Sequence, residues 1–282
     1  MMPFRPIAAA VLLSAATPVL AQAALATDRY APASLLAYWR SHGPGSTIGD
    51  DPSENAPGWF ADKTVLKLHQ PASGQRIPQA QADLLKRKLD VAFHALMSQP
   101  SLKDIRGSSI QAGLNVFVVP TEDGTRLVGA SLRLIAKPVH IDDPKTYALG
   151  GRYQTPWEEG PSLTIELNPY EFVSNLDPQP EAVSGRTVTL LSGAAALIVT
   201  DAPHQGEWNS REQAAKLKTD TSWYQPGAAG SHPMLVRVSG GRQDNQELRG
   251  GKMKPTRPAA RLAAAMYMVD WEDVQRRMAA VK

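Results

Sequence analysis

The chain contains no cysteine. Disulfide staples, thiolate metal ligands, thiol nucleophiles and lipid attachment through a cysteine are thereby excluded, and stability has to come from a hydrophobic core. The 282 residues are enough for one, and with 43% hydrophobic and 20% charged side chains the balance is that of a globular chain, not a disordered one. Excess charge is scarce as well: a formal net charge of +3 is too small by itself to imply a nucleic-acid partner. Long apolar runs are also missing past the N-terminus. The longest, Thr187 to Thr200, is interrupted by Ser192 and Gly193 and falls short of the roughly 20 residues a helix needs to cross a bilayer. No membrane-spanning segment is expected.

Motifs of familiar chemistry are absent too. There is no His-Glu-x-x-His of a zinc protease, no Ser-x-x-Lys of a penicillin-binding site and no Gly-x-Ser-x-Gly elbow. Gly43-Pro44-Gly45 lacks a third glycine and a preceding strand, and Gly250-Gly251-Lys252 lacks the upstream glycine and the following Ser or Thr of a phosphate loop. No catalytic residue, cofactor or metal is assigned on this basis.

What is present begins with an export signal. Arg5 supplies a positive start, Ile7 to Leu20 an apolar run too short to span a bilayer, and Ala21-Gln22-Ala23 the small-x-small pattern that a signal peptidase reads. Cleavage is expected after Ala23, leaving residues 24–282 as a single globular domain in the periplasm or secreted medium.

Periodicity then marks the elements. Pro32 opens a helix with Leu35, Leu36 and Trp39 on its apolar face and Gly43 to end it, and His42 to Trp59 reads as an exposed connection. Thr64 to His69 alternates as a short strand. Pro78 to Met97 is the clearest helix, its stripe formed by Leu85, Leu89, Ala92 and Leu96 with Phe93 beside it, and His94 on the solvated face with Arg87. Leu114 to Val119 and Arg126 to Ile135 form a hairpin around Glu122-Asp123-Gly124. Ser162 to Asn168 alternates like a strand with one wet face, Thr187 to Leu191 and Ala195 to Val199 form one strand or two, and Pro233 to Val238 forms another. Ser210 and Gln213 mark a capping box for a helix running to Lys218.

The C-terminus resists a single helix because no one apolar stripe covers it. Leu262, Met266 and Val269 share one face, Trp271, Val274, Met278 and Val281 another, and Asp270 is placed to cap the second piece, so two helices meeting near Asp270 are expected. Helices and strands do not alternate regularly. The fold class is therefore α+β, with a mainly antiparallel sheet, helices packed on one face and two short C-terminal helices.

Three stretches are candidates for function. The connection from Pro138 to Pro161, without apolar periodicity, concentrates His140, Asp142, Asp143, Tyr147, Tyr153, Trp157, Glu158 and Glu159. Of these, His140, Asp142, Asp143, Tyr153, Trp157 and Glu158 are the candidate ligand-binding residues. A carboxylate pair there, with rings to stack on a sugar, would suit glycoside cleavage; His140 with Asp142 would suit a metal ion; and the bland alternative is a surface loop whose aromatics pack on the sheet. A second group, Trp208, Trp223 and Tyr224 near His204 and His232, fits a shallow platform for sugars or peptides less well than it fits core packing. Third, Arg242, Arg249, Lys252, Lys254 and Arg257, amid Gly240-Gly241 and Gly250-Gly251, suggest a mobile basic loop over residues 239–257 that contacts an anionic surface. No aromatic lies between Ser239 and Arg261, so stacking on nucleic-acid bases has no support there.

Taken together, these features favour an exported, soluble, non-catalytic domain that binds an envelope component or a partner protein. The alternative is a secreted hydrolase acting on a polysaccharide, its acidic site drawn from Asp142, Asp143, Glu158, Glu159 and Glu166.

Overall fold

The computed structural model describes residues 33–61, 65–68, 77–120, 126–156, 159–168, 180–183, 186–191, 194–199, 234–249 and 252–282. Alternating side chains in two long segments, β2 (Ser108–Pro120) and β3 (Arg126–Pro138), form the longest antiparallel pair of the sheet, in register from Ser108 opposite Pro138 to Pro120 opposite Arg126. The expected turn at Glu122-Asp123-Gly124 lies outside the described residues. β1 (Val65–Leu68) joins β2 in parallel, while β6 (Ser162–Leu167) joins β3 antiparallel and β10 (Met234–Ser239) joins β6 antiparallel. β9 (Ala194–Val199), β8 (Arg186–Leu191) and β7 (Pro180–Val183) continue the antiparallel pairing, giving an eight-stranded order β1-β2-β3-β6-β10-β9-β8-β7. Thr187 to Val199 thus holds two strands, not one, and β7 is an element that periodicity did not reveal.

Period two decides which side chains the sheet buries. Leu114, Leu132, Ile165 and Val236 stand side by side across four strands, each fully buried. They share one core with Leu85, Leu89 and Leu96 of α3 (Gln79–Met97) and with Leu262 and Met266 of α5 (Pro258–Met268). α3 is the helix its stripe predicts, and His94 and Arg87 are exposed. α1 (Ala33–His42) buries Leu35, Leu36 and Trp39 and stops before Gly43, whose φ of +74° is a left-handed conformation that side chains with a Cβ resist.

The C-terminal chain divides at Asp270. Val269 leaves the helical conformation at ψ 133°, and the Asp270 carboxylate accepts a hydrogen bond from the Asp273 amide at 3.0 Å, capping α6 (Trp271–Ala279). Trp271, Val274 and Met278 are buried as their common face requires, and the Trp271 indole donates to the Met266 carbonyl at 2.8 Å, tying α6 back to α5. The architecture is α+β, with a mainly antiparallel sheet and two short C-terminal helices.

Two sequence expectations are corrected. The connection His42 to Trp59 contains a short helix, α2 (Pro52–Asn55), because Asp51 accepts from the Ser53 and Glu54 amides while Pro52 presets the first turn. The segment after it is held to the sheet by bridges from Pro57 to Arg106 and from Phe60 to Ile110. Secondly, the basic stretch 239–257 is not a continuous loop: Arg242–Arg249 forms helix α4.

Candidate functional site

The stretch from Pro138 to Pro161 contains structure that its lack of apolar period concealed. Tyr147–Leu149 (β4) and Arg152–Gln154 (β5) pair as a separate two-stranded hairpin. Gly150 and Gly151 occupy its two-residue turn at φ +59° and +75°, the double positive conformation that matches the right-handed twist of the flanking strands. Strands of three residues are too short to show an alternation. The Gly-Gly pair was the one available signal for this hairpin.

β5 fixes the hairpin to the body of the protein. The Tyr153 amide donates to the Pro57 carbonyl at 2.7 Å and its carbonyl accepts from the Trp59 amide at 2.9 Å. Arg152 does more. Its guanidinium lies 4.5 Å from the Phe60 ring centre, donates to the Gly58 carbonyl at 3.2 Å and stands 3.5 Å from the Asp104 carboxylate. Across the hairpin, the Tyr147 hydroxyl donates to the Gln154 amide oxygen at 2.9 Å. At its base the Thr146 and Thr155 hydroxyls meet at 2.8 Å, and Thr146 also donates to the His140 carbonyl at 2.6 Å.

Outward from this anchored base the hairpin presents apolar surface. Tyr147 is 49% exposed and Leu149 62%, and they are the large hydrophobic side chains that stand exposed among the described residues. As residues i and i+2 of one strand they share a face. A lone exposed leucine is unremarkable on a protein surface; two large apolar groups side by side on a braced hairpin form a contact element.

The candidate ligand-binding residues divide among several settings. His140 and Asp142 are exposed, and Asp143 is half-buried, its carboxylate accepting from the Lys145 amide at 2.8 Å, which builds the turn that leads into β4. Tyr153 is half-buried in the hairpin, and Trp157 and Glu158 lie outside the described residues. Glu159 is exposed after the hairpin, whereas Glu166 is buried well into β6, opposite Ser131 and Leu235. Among the described residues no three His, Cys, Asp or Glu side chains converge as metal ligands. The aromatic group of Trp208, Trp223 and Tyr224, with His204 and His232, falls outside the described residues, as do the capping box at Ser210 and the N-terminal stretch ending at Ala23.

In the basic stretch, charge is met locally. Arg257 contacts Asp244 and Glu247 of α4, each at 3.1 Å, and Lys254 pairs with Glu54 of α2. Lys252 is exposed, and Arg242 and Arg249 lie on the backbone of α4. Arg257 and Lys254 thus spend charge on joining helices, a role that the composition alone did not indicate.

Comparison of the chain with protein-family models, with curated proteins and with solved structures returns no match. Among the described residues, no helix is long and apolar enough to cross a membrane.

Proposed function

We propose that the chain is an exported, non-catalytic binding domain that docks a partner protein through the hairpin β4–β5. The observation that carries this reading is the pair Tyr147 and Leu149, held in the open on a hairpin whose base is fixed by Arg152 and Tyr153. Aromatic and aliphatic anchors on a rigid element lose little conformational entropy on binding, which is what makes such groups dominate protein interfaces. Two of the acids weighed for hydrolysis support binding better: Asp143, in the same stretch, is engaged in a turn, and Glu166 is buried within β6. The reading takes the N-terminal stretch ending at Ala23 as a removed export signal.

The test places a photo-crosslinking residue at position 149 in the producing cell and, as a control, at exposed Lys103. A discrete adduct from position 149 that is lost in Tyr147→Ser, with no equivalent from position 103, is the expected result. Turnover of a polysaccharide, peptide or ester substrate by the purified protein at rates near 1 per second or above, typical of enzymes, overturns it.

A further inference from the structure

The main chain of β4 has an outward edge. Leu149 and Arg152 close the two-residue turn and Tyr147 stands opposite Gln154, so these pairs bond across the ribbon, while between them Ala148 and Tyr153 direct their amides and carbonyls away from each other. Tyr153 fixes this phase, because its outward amide donates to Pro57 at 2.7 Å and its outward carbonyl accepts from Trp59 at 2.9 Å. The matching groups of Ala148 therefore point to the opposite edge. Among the described residues they meet no hydrogen-bonding partner, and all three residues of β4 are exposed.

Edge strands are usually blunted by charge, by proline or by a covering element, since an open edge is a template for another strand. β4 reads Tyr-Ala-Leu and carries none of these. A second copy of the same strand satisfies its open groups. An antiparallel alignment with a two-fold axis at Ala148 sets Ala148 opposite its own copy, where each amide donates to the other carbonyl. Tyr147 then stands opposite Leu149 of the copy, and Leu149 opposite Tyr147. The four apolar side chains gather on one face as two cross-strand pairs of ring and aliphatic group. The flanking residues do not obstruct the pairing: Thr146 faces Gly150 of the copy, and Lys145 faces Gly151, so no like charges are opposed.

We propose that β4 pairs with β4 of a second copy of the chain, forming a two-fold dimer whose axis passes beside Ala148. This rests on the reading of the hairpin as a docking element and names the partner it docks. The pairing continues the ribbon of residues 57–59, β5 and β4 through the axis into the other copy. Because each copy contributes one strand of three residues, the contact falls below the roughly 1,200–2,000 Å² of a standard interface, and the dimer is reversible.

The purified full chain is followed by sedimentation from about 10 µM to about 1 mM, the range in which so small a contact becomes populated. A rise toward twice the mass of the chain is expected. Ala148→Lys and Ala148→Glu are each expected to weaken association about two- to fivefold, because like charges then stand directly opposite across the axis, and an equimolar mixture of the two should associate more tightly than either alone. Ala148 is exposed, so both variants are expected to fold, and matching melting curves check that. The absence of native cysteine gives a second readout. Residues facing each other in a hydrogen-bonded antiparallel pair have Cα atoms about 5.5 Å apart, within the reach of a disulfide. In a glutathione redox buffer Ala148→Cys should therefore form covalent dimers at least about tenfold faster than Lys103→Cys, at an exposed site away from the axis. A chain that stays monomeric throughout the range, a mixture no tighter than its components, or equal dimer formation from the two cysteine variants overturns the proposal. If the purified chain stays monomeric while position 149 in the cell yields an adduct of another mass, the hairpin still docks a partner and only the second copy is excluded.

Discussion

The guanidinium carbon of Arg261 lies 4.8 Å from the centre of the Trp39 ring, in the fully buried contact between α5 and α1. Its Nε donates to the Thr256 carbonyl at 2.9 Å, and its two terminal nitrogens donate to Ser101 at 3.2 Å and Ser46 at 3.0 Å. Trp39 answers with its own indole donor on the Pro255 carbonyl at 3.3 Å. Burial pushes the Arg261 pKa down to about 10, with Tyr38 and Glu54 opposing the shift, so the side chain is still cationic at neutral pH.

Replacing Arg261 therefore strands buried carbonyls from separate parts of the chain. Lysine keeps the charge but not the planar fork, and Arg261→Lys is expected to cost about 2–4 kcal/mol, with Arg261→Met at least as costly. Urea unfolding measures it. A midpoint change equivalent to less than about 0.5 kcal/mol, the effect of an ordinary surface substitution, would show that this contact is not a structural centre.

Gly58 and Gly113 make a contrasting pair. A Cβ on Gly58 would lie 1.7 Å from the Ser108 carbonyl oxygen, at the point where the segment after α2 crosses the start of β2 and meets Tyr153 of the hairpin. Gly58→Ala is expected to destabilise by about 2–3 kcal/mol through backbone displacement. Gly113→Ala, with open space at its Cβ, is expected to be neutral or to stabilise by up to about 1 kcal/mol because the unfolded chain loses freedom. Equal effects from the two substitutions, read by thermal melting, would contradict this account of the crossing.

How far the sequence reveals this arrangement depends on the range over which each element is determined. α3 is legible because Leu85, Leu89, Ala92 and Leu96 set its buried face within one segment, and the division of α5 from α6 is legible because Asp270 and Trp271 supply a cap and a change of face side by side. α4 has no such stripe. Its ion pairs come from Arg257, beyond the helix, so local pattern could not supply them. The hairpin β4–β5 offered Gly150-Gly151 and little else. The row of Leu114, Leu132, Ile165 and Val236 was hidden for a different reason: each residue sits in a strand with visible alternation, but their alignment depends on pairing between segments far apart in the chain.

Tyr267 gives the protein a titration with a defined sign. Burial raises its hydroxyl from the ordinary value of 10 to about 12. The unfolded chain therefore releases this proton first as pH rises, so the contribution is fully present below pH 10 and is lost on the way to pH 12. A shift of this size corresponds to roughly 2–3 kcal/mol. Arg261, whose folded value is lowered, tilts stability the other way in part of that range, so the contribution is read from the difference between the unaltered chain and Tyr267→Phe. That difference is expected to fall from pH 10 to pH 12. A flat difference would place the folded hydroxyl at its ordinary pKa.

The turn of the hairpin connects backbone geometry to the proposed docking role. Gly150 and Gly151 both hold positive φ, and alanine at such positions costs about 1–2 kcal/mol each, which a two-stranded ribbon of three residues per strand has little cooperative reserve to absorb. The double substitution Gly150→Ala with Gly151→Ala is expected to open β4 while β5 keeps its hold through Tyr153 and Pro57. Hydrogen exchange should then lose protection within β4 and leave α3 unchanged, and melting of the core should stay close to that of the unaltered chain. Crosslinking from position 149 should fall as far as it does in Tyr147→Ser, because both changes remove the fixed presentation of the same apolar face. Gly150→Asn, which tolerates the left-handed conformation, should preserve both protection and crosslinking. If crosslinking persists after the ribbon has opened, the partner reads the sequence of this segment in an extended or adaptable form, and the rigidity contributed by Arg152 serves the fold and not the contact.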